Sequence, residues 1–201
     1  MKIPRFNLAN RITLLRLALA IACFGCFIVI IRNEMDWHAR SSVAFIATIF
    51  FVAGTALDAL DGYIARRDNL VTAFGRIADP FVDKILVCGG LVFLLDIPEA
   101  QDFLKTWMVV VILSREFFVT GIRGYFESNG IDFSAVMPGK IKMVVQSLAI
   151  GFLMGLMWIK PNPTWLVVSS HVLVWATVAS TVYSGLVYLR RAAKELQGHE
   201  L

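Results

Sequence analysis

Six stretches of about twenty mostly apolar residues recur along the chain, at about 12–31, 42–62, 77–95, 106–124, 140–159 and 165–188. That is the length a helix needs to cross the hydrocarbon core of a bilayer, where each backbone amide must be satisfied within its own segment. Apolar residues make up 58% of the 201 and charged residues 17%, a balance outside the range of ordinary soluble domains. No alternating segments of about ten residues recur, which sets a β-barrel aside. The expectation is an all-α integral membrane protein of six transmembrane helices, forming one domain over residues 1–201. A juxtamembrane segment, 1–11, and a tail, 190–201, flank the helices.

Lys and Arg gather at one edge of these spans, and loops on the cytoplasmic side carry such an excess. With the N-terminus inside, 15 of the 19 basic residues fall on the cytoplasmic face. Arg32, Arg40, Lys105 and Lys160 are left on the other. Both termini are therefore expected inside. The first span is of full spanning length and reads as an uncleaved helix, not as a signal sequence. Cys23, Cys26 and Cys88 lie in apolar spans and read as small buried hydrophobes, and the scattered His38, His171 and His199 form no metal cluster. Nucleic acid is not an expected partner.

Charges at membrane depth cost at least about 2.5 kcal/mol each at a helix centre, so they persist where they face one another or a wet cavity. The segment "LDALDGYIARRDNLVTAFGRIADPFVDKI", residues 57–85, concentrates them. Asp58 and Asp61 are three apart, about 60° around a helix, and Asp79 and Asp83 are four apart, about 40°. Each helix thus presents a stripe of two carboxylates, and the short connection lets the stripes face each other. Four converged carboxylates repel unless cations lie among them. Oxygen-only ligation favours Mg²⁺, Mn²⁺ or Ca²⁺, with enough oxygens to bridge two ions. Gly62, Ala65 and Gly75 add small residues on the same faces, leaving room for a neighbouring helix or a flat ligand group. Taken singly, an Asp at a helix end is a cap and a membrane Gly marks packing; the combination is not explained that way.

The pattern Asp58-x2-Asp61-Gly62-x2-Ala65-Arg66-x8-Gly75-x3-Asp79-x3-Asp83 matches in full the signature of the CDP-alcohol phosphotransferase family. These membrane enzymes make phospholipids by displacing CMP from a CDP-activated group. The resemblance implies two divalent ions, Mg²⁺ or Mn²⁺, held by Asp58, Asp61, Asp79 and Asp83, with Asp83 also the general base. It assigns Gly62, Ala65, Arg66, Thr72 and Gly75 to CDP-diacylglycerol. "NLANRITLLR" resembles the family's amino-terminal segment, in which Asn10, Thr13 and Arg16 form one polar stripe and join the same substrate. It departs from the family in Ala9, where Pro is usual, and in the charged Arg11.

"SREFFVTGIRGYFESNG" and "GKIKMVVQ" resemble the branch of the family whose acceptor is sn-glycerol 3-phosphate. An acceptor with its own phosphate needs a basic pocket besides the metals, and Arg115, Arg123, Lys140 and Lys142 are the candidates. Arg115, with its forked donors, ranks first and Lys140 second. Lys142, like Arg67 and Arg76, reads on its own as an anchor at lipid headgroups. Glu116 reads either as a residue orienting Arg115 or as half of a helix-to-helix ion pair. The resemblance also implies a homodimer, a polar cavity on the cytoplasmic side and, as the setting, a bacterial inner membrane. Rival readings are another acceptor (inositol phosphate, serine or phosphatidylglycerol) and, from a different class, a divalent-cation transporter. Against the transporter stand carboxylates at one face instead of the midplane, and Arg66 beside them.

Overall fold

A computed structural model describes residues 8–68, 73–131, 133–134 and 136–199; the side chains of residues 8–10, 59–68, 73–80, 83, 198 and 199 are outside the described residues. Over the described residues the chain forms seven helices and no strand: α1 (Leu8–Arg32), α2 (Trp37–Asp68), α3 (Ala73–Leu94), the single turn α4 (Pro98–Gln101), α5 (Thr106–Ser128), α6 (Met137–Leu156) and α7 (Thr164–His199). Each of the six apolar stretches falls mainly in one long helix; the ends differ by up to six residues, except that α7 runs eleven residues past the expected end at 188. The expected tail is not a separate segment, because α7 continues as helix through His199.

Among the described residues four helical stretches are long and apolar enough to cross a membrane: Arg11–Arg32, Trp37–Asp58, Met137–Leu156 and Thr164–Gln197. In α3 the apolar stretch is shorter, Lys84–Leu94. In α5 the polar interruption is Arg115, Glu116 and Arg123. These two helices thus give up apolar length to carry charge.

The helices pack side by side, α1 against α2 and α3, α6 against α7, and α5 against α7, with α2 and α3 both meeting α6. Phe27, Phe51, Leu86, Leu91, Ile150 and Met154 are fully buried where they meet. Lipid tails are as apolar as these side chains, so close packing holds the helices together rather than exclusion from water. Phe27 stacks on Phe93 at 5.5 Å with the rings 4° from parallel. The Cys23 thiol donates to the Ala47 carbonyl at 3.5 Å, in keeping with its reading as a small core residue. The faces turned outward carry Ile21, Val52, Val144 and Val172, as lipid contact requires.

The two ends of the bundle differ. At one, the start of α2 meets the end of α6 and α4: Trp158 Nε1 donates to Thr48 Oγ1 at 3.1 Å, and Arg40 pairs with Glu99 at 2.8 Å. The other end gathers the starts of α1, α3 and α6 and the later parts of α2, α5 and α7, and it holds the candidate site.

There α5 stops in a Schellman motif. Ile131 N–H reaches the Phe126 carbonyl at 3.0 Å and Gly130 N–H the Glu127 carbonyl at 3.1 Å, with Gly130 at φ +74°, where an L side chain would be strained. This reversal lays Phe133 flat on Phe126, centroids 4.6 Å apart, and Arg191 of α7 covers the other ring region at 4.5 Å. The connection toward α6 is consequently packed onto α5 and α7 at Phe133, which is fully buried.

Candidate active site

The signature divides between two helices. Asp58, Asp61, Gly62, Ala65 and Arg66 are on α2, and Gly75, Asp79 and Asp83 are on α3. Of these, only the Asp58 side chain is among the described residues; those of Asp61, Gly62, Ala65, Arg66, Gly75, Asp79 and Asp83 lie outside them, as do that of Asn10 and the whole of Thr72.

Arg16 of α1 places Nη2 2.9 Å from Asp58 Oδ1. Its side chain is 3% exposed against 31% for Asp58. One turn before it, Thr13 is also buried. Thr13 and Arg16 of the amino-terminal polar stripe are therefore turned inward, Arg16 onto the helix that carries the first half of the signature. A half-exposed carboxylate held by a buried guanidinium suits a hard divalent ion, for which oxygen donors kept in place by neighbouring groups are the usual partners.

A cavity of about 250 Å³ opens between α3, α5, α6 and α7. Arg115, Arg123, Lys140 and Lys142, the four basic residues singled out in the sequence, all line it, and Lys84 of α3 adds a fifth cation. Lys84 is on α3, the helix that carries the second half of the signature. Among the described residues only one acid, Glu116, lines it. The walls thus carry an excess of positive charge in a poorly solvated setting, which selects an anion.

Glu116 is the internal tie. Its Oε1 accepts from Arg115 Nη1 at 3.0 Å and from Lys142 Nζ, joining α5 to α6. Both readings of Glu116 therefore hold together: it orients Arg115 and forms the helix-to-helix pair. Lys142 is 1% exposed, which corrects its reading as a headgroup anchor. A lysine paired at the bundle interior cannot reach the lipid surface.

Arg115 keeps its binding edge open. With Nη1 on Glu116, its Nε and Nη2 are buried and have no hydrogen-bond partner among the described residues. That Nε–Nη2 edge is the fork that grips a phosphate with two parallel hydrogen bonds. The guanidinium carbon lies 5.3 Å from the Tyr188 ring centroid. Tyr188 in turn accepts the Val136 N–H at 3.2 Å, tying α7 to the start of α6. Two glycines make room for this arrangement: a Cβ at Gly139 would stand 3.1 Å from Tyr188 Oη, and one at Gly185 3.4 Å from Arg115 Cγ. Arg123 lines the cavity nearer the surface, with Glu127 at 3.5 Å. On α3, Lys84 Nζ donates to Thr120 Oγ1.

Residues 6–183 match the family model described as CDP-alcohol phosphatidyltransferase. The chain belongs to that family. A Bacillus subtilis protein named CDP-diacylglycerol–glycerol-3-phosphate 3-phosphatidyltransferase is 37% identical over 196 residues, covering 92% of this chain and 95% of its own. Proteins of the same name from Rickettsia bellii and Escherichia coli K12 are 30% and 27% identical, over 94% and 96% of this chain and 96% and 98% of theirs.

Sequence reasoning did not single out Lys84, Tyr188 or Gln146 as site residues. They come from three different helices, and only the packing of α3, α6 and α7 brings them to one cavity.

Proposed function

We propose that the protein transfers the phosphatidyl group of CDP-diacylglycerol to sn-glycerol 3-phosphate, giving phosphatidylglycerophosphate and CMP. The observation that carries this reading is the basic cavity: four cations picked out for a phosphate-bearing acceptor converge there beside the residue that follows Asp83. Serine and phosphatidylglycerol lack a terminal phosphate monoester and give such a cavity nothing to hold. The names of the relatives agree.

Asp58, Asp61, Asp79 and Asp83 would hold two divalent ions, Mg²⁺ or Mn²⁺. When bound, such ions supply neutralisation of the pyrophosphate and of the departing CMP oxygen. Arg16 keeps Asp58 in place. Asn10, Thr13, Gly62, Ala65, Arg66, Thr72 and Gly75 contact CDP-diacylglycerol, with Arg66 toward the leaving group. Arg115 grips the acceptor phosphate through its fork, Lys140, Lys142 and Arg123 add charge, and the glycerol chain runs toward α3. There Asp83 takes the proton of the terminal hydroxyl as its oxygen bonds to the β-phosphorus, and the bond from that phosphorus to the CMP oxygen breaks. Holding both substrates in line turns an encounter of two molecules into a reaction within one complex.

In this reading six helices span the membrane, α3 and α5 among them, since Lys84, Arg115, Glu116 and Arg123 line the cavity. Both termini and the site face the cytoplasm, in line with the Lys and Arg bias; the membrane is a bacterial inner membrane, as for the bacterial relatives, and the protein acts as a homodimer. The test is CMP release by the purified protein from CDP-diacylglycerol with separate acceptors. Release is expected with sn-glycerol 3-phosphate and only at trace level with inositol phosphate, serine or phosphatidylglycerol. Preference for any of the other three overturns the acceptor assignment.

A further inference from the structure

Gln146 lies on α6 one turn beyond Lys142 and lines the same cavity, and it is 1% exposed. Among the described residues neither its Nε2 nor its Oε1 has a hydrogen-bond partner. A carboxamide buried in that state is costly, and at membrane depth lipid offers it nothing. The cations around the cavity are donors only, which is what a phosphate accepts. An alcohol hydroxyl both donates and accepts, and a carboxamide offers one group of each kind. One helical turn, about 5 Å, separates Gln146 from Lys142 along α6, within reach of a three-carbon chain whose phosphate is held by Arg115 and Lys142. We propose that Gln146 is the specificity-determining residue that reads the secondary hydroxyl of the acceptor, an assignment that rests on the acceptor proposed above.

An acceptor lacking that hydroxyl leaves the amide unpaired and pays for it in the transition state, so a site of this kind discriminates strongly. The test compares kcat/KM for sn-glycerol 3-phosphate with that for 3-hydroxypropyl phosphate, which lacks only the secondary hydroxyl. The wild-type protein is expected to prefer the former by at least about a hundredfold. Gln146→Met keeps the length and removes both polar atoms; it should bring the ratio within about tenfold, by losing turnover of glycerol 3-phosphate while keeping that of the analogue. Both acceptors are measured on one sample, so the ratio is independent of the fraction folded. If the Met variant does not accumulate in membranes, Gln146→Leu decides by the same ratio. An unchanged ratio, or equal loss on both acceptors, overturns the role of Gln146 and leaves the acceptor reading standing. A wild-type protein that releases CMP with neither acceptor overturns both.

Discussion

Arg16 of α1 and Asp58 of α2 meet at 2.9 Å, joining the amino-terminal polar stripe to the first carboxylate of the signature. The guanidinium is buried and the carboxylate half-exposed, so the arginine is fixed and orients its partner. Removing a group that holds a metal-binding carboxylate typically costs ten- to a hundredfold in metal affinity or activity. Arg16→Ala is therefore expected to raise the Mg²⁺ needed for half-maximal CMP release by about tenfold or more. Arg16→Lys should recover part of the loss, as a point charge without the fork. A Mg²⁺ titration of the three proteins checks this; identical titration curves would separate Arg16 from the metal-binding carboxylates.

Asp61 and Asp83 are expected to differ in kind. In the proposed roles, Asn at Asp61 would weaken ion binding, which added metal offsets, whereas Asn at Asp83 would remove basicity, which metal cannot replace. Rates measured from low to saturating Mg²⁺ or Mn²⁺ should show recovery for Asp61→Asn and almost none for Asp83→Asn, with CDP-diacylglycerol binding retained in both. Recovery of the Asp83 variant would reduce that residue to a ligand.

Much of this was legible in the residues. The spans appear as helices because apolar runs of twenty residues have few other ways to satisfy their backbones, and the carboxylates fall on α2 and α3 because i, i+3 and i, i+4 spacing has one meaning on a helix. The basic residues of α5 and α6 could be named and ranked, but which of them turn inward could not be read. Whether a lysine such as Lys142 reaches headgroups or turns inward depends on what stands opposite, and the Glu116 that settles it is 26 positions away. Tyr188 has no local signal, and the i, i+4 spacing of Gln146 from Lys142 alone does not say that both face a cavity; that follows from α7 and α6 packing beside Arg115. The length of α7 past its apolar part was likewise not written in hydropathy, which reports lipid contact and not helix ends.

Glu116 holds Arg115 and Lys142 together, and its neutralisation would leave two buried cations with no anion between them. Breaking a buried pair from one side costs about 3–5 kcal/mol. Glu116→Gln should accordingly lower thermal stability in detergent. Glycerol 3-phosphate or inorganic phosphate should return more of the loss in this variant than either adds to the wild type, by mass action on the folded state. Melting curves at rising phosphate give the comparison. Equal phosphate shifts in both proteins would show that the anion does not bind where Glu116 sits.

The most direct measurement of the account is the pair of KM values for Arg115→Ala. Its Nε–Nη2 edge, which has no hydrogen-bond partner among the described residues, is proposed to hold the acceptor phosphate and nothing on CDP-diacylglycerol. Loss of a charge-assisted fork is worth about 1.5–3 kcal/mol, so the KM for sn-glycerol 3-phosphate should rise by about tenfold to a hundredfold while that for CDP-diacylglycerol stays within about twofold. A rise confined to CDP-diacylglycerol would place the cavity on the other substrate and contradict the account.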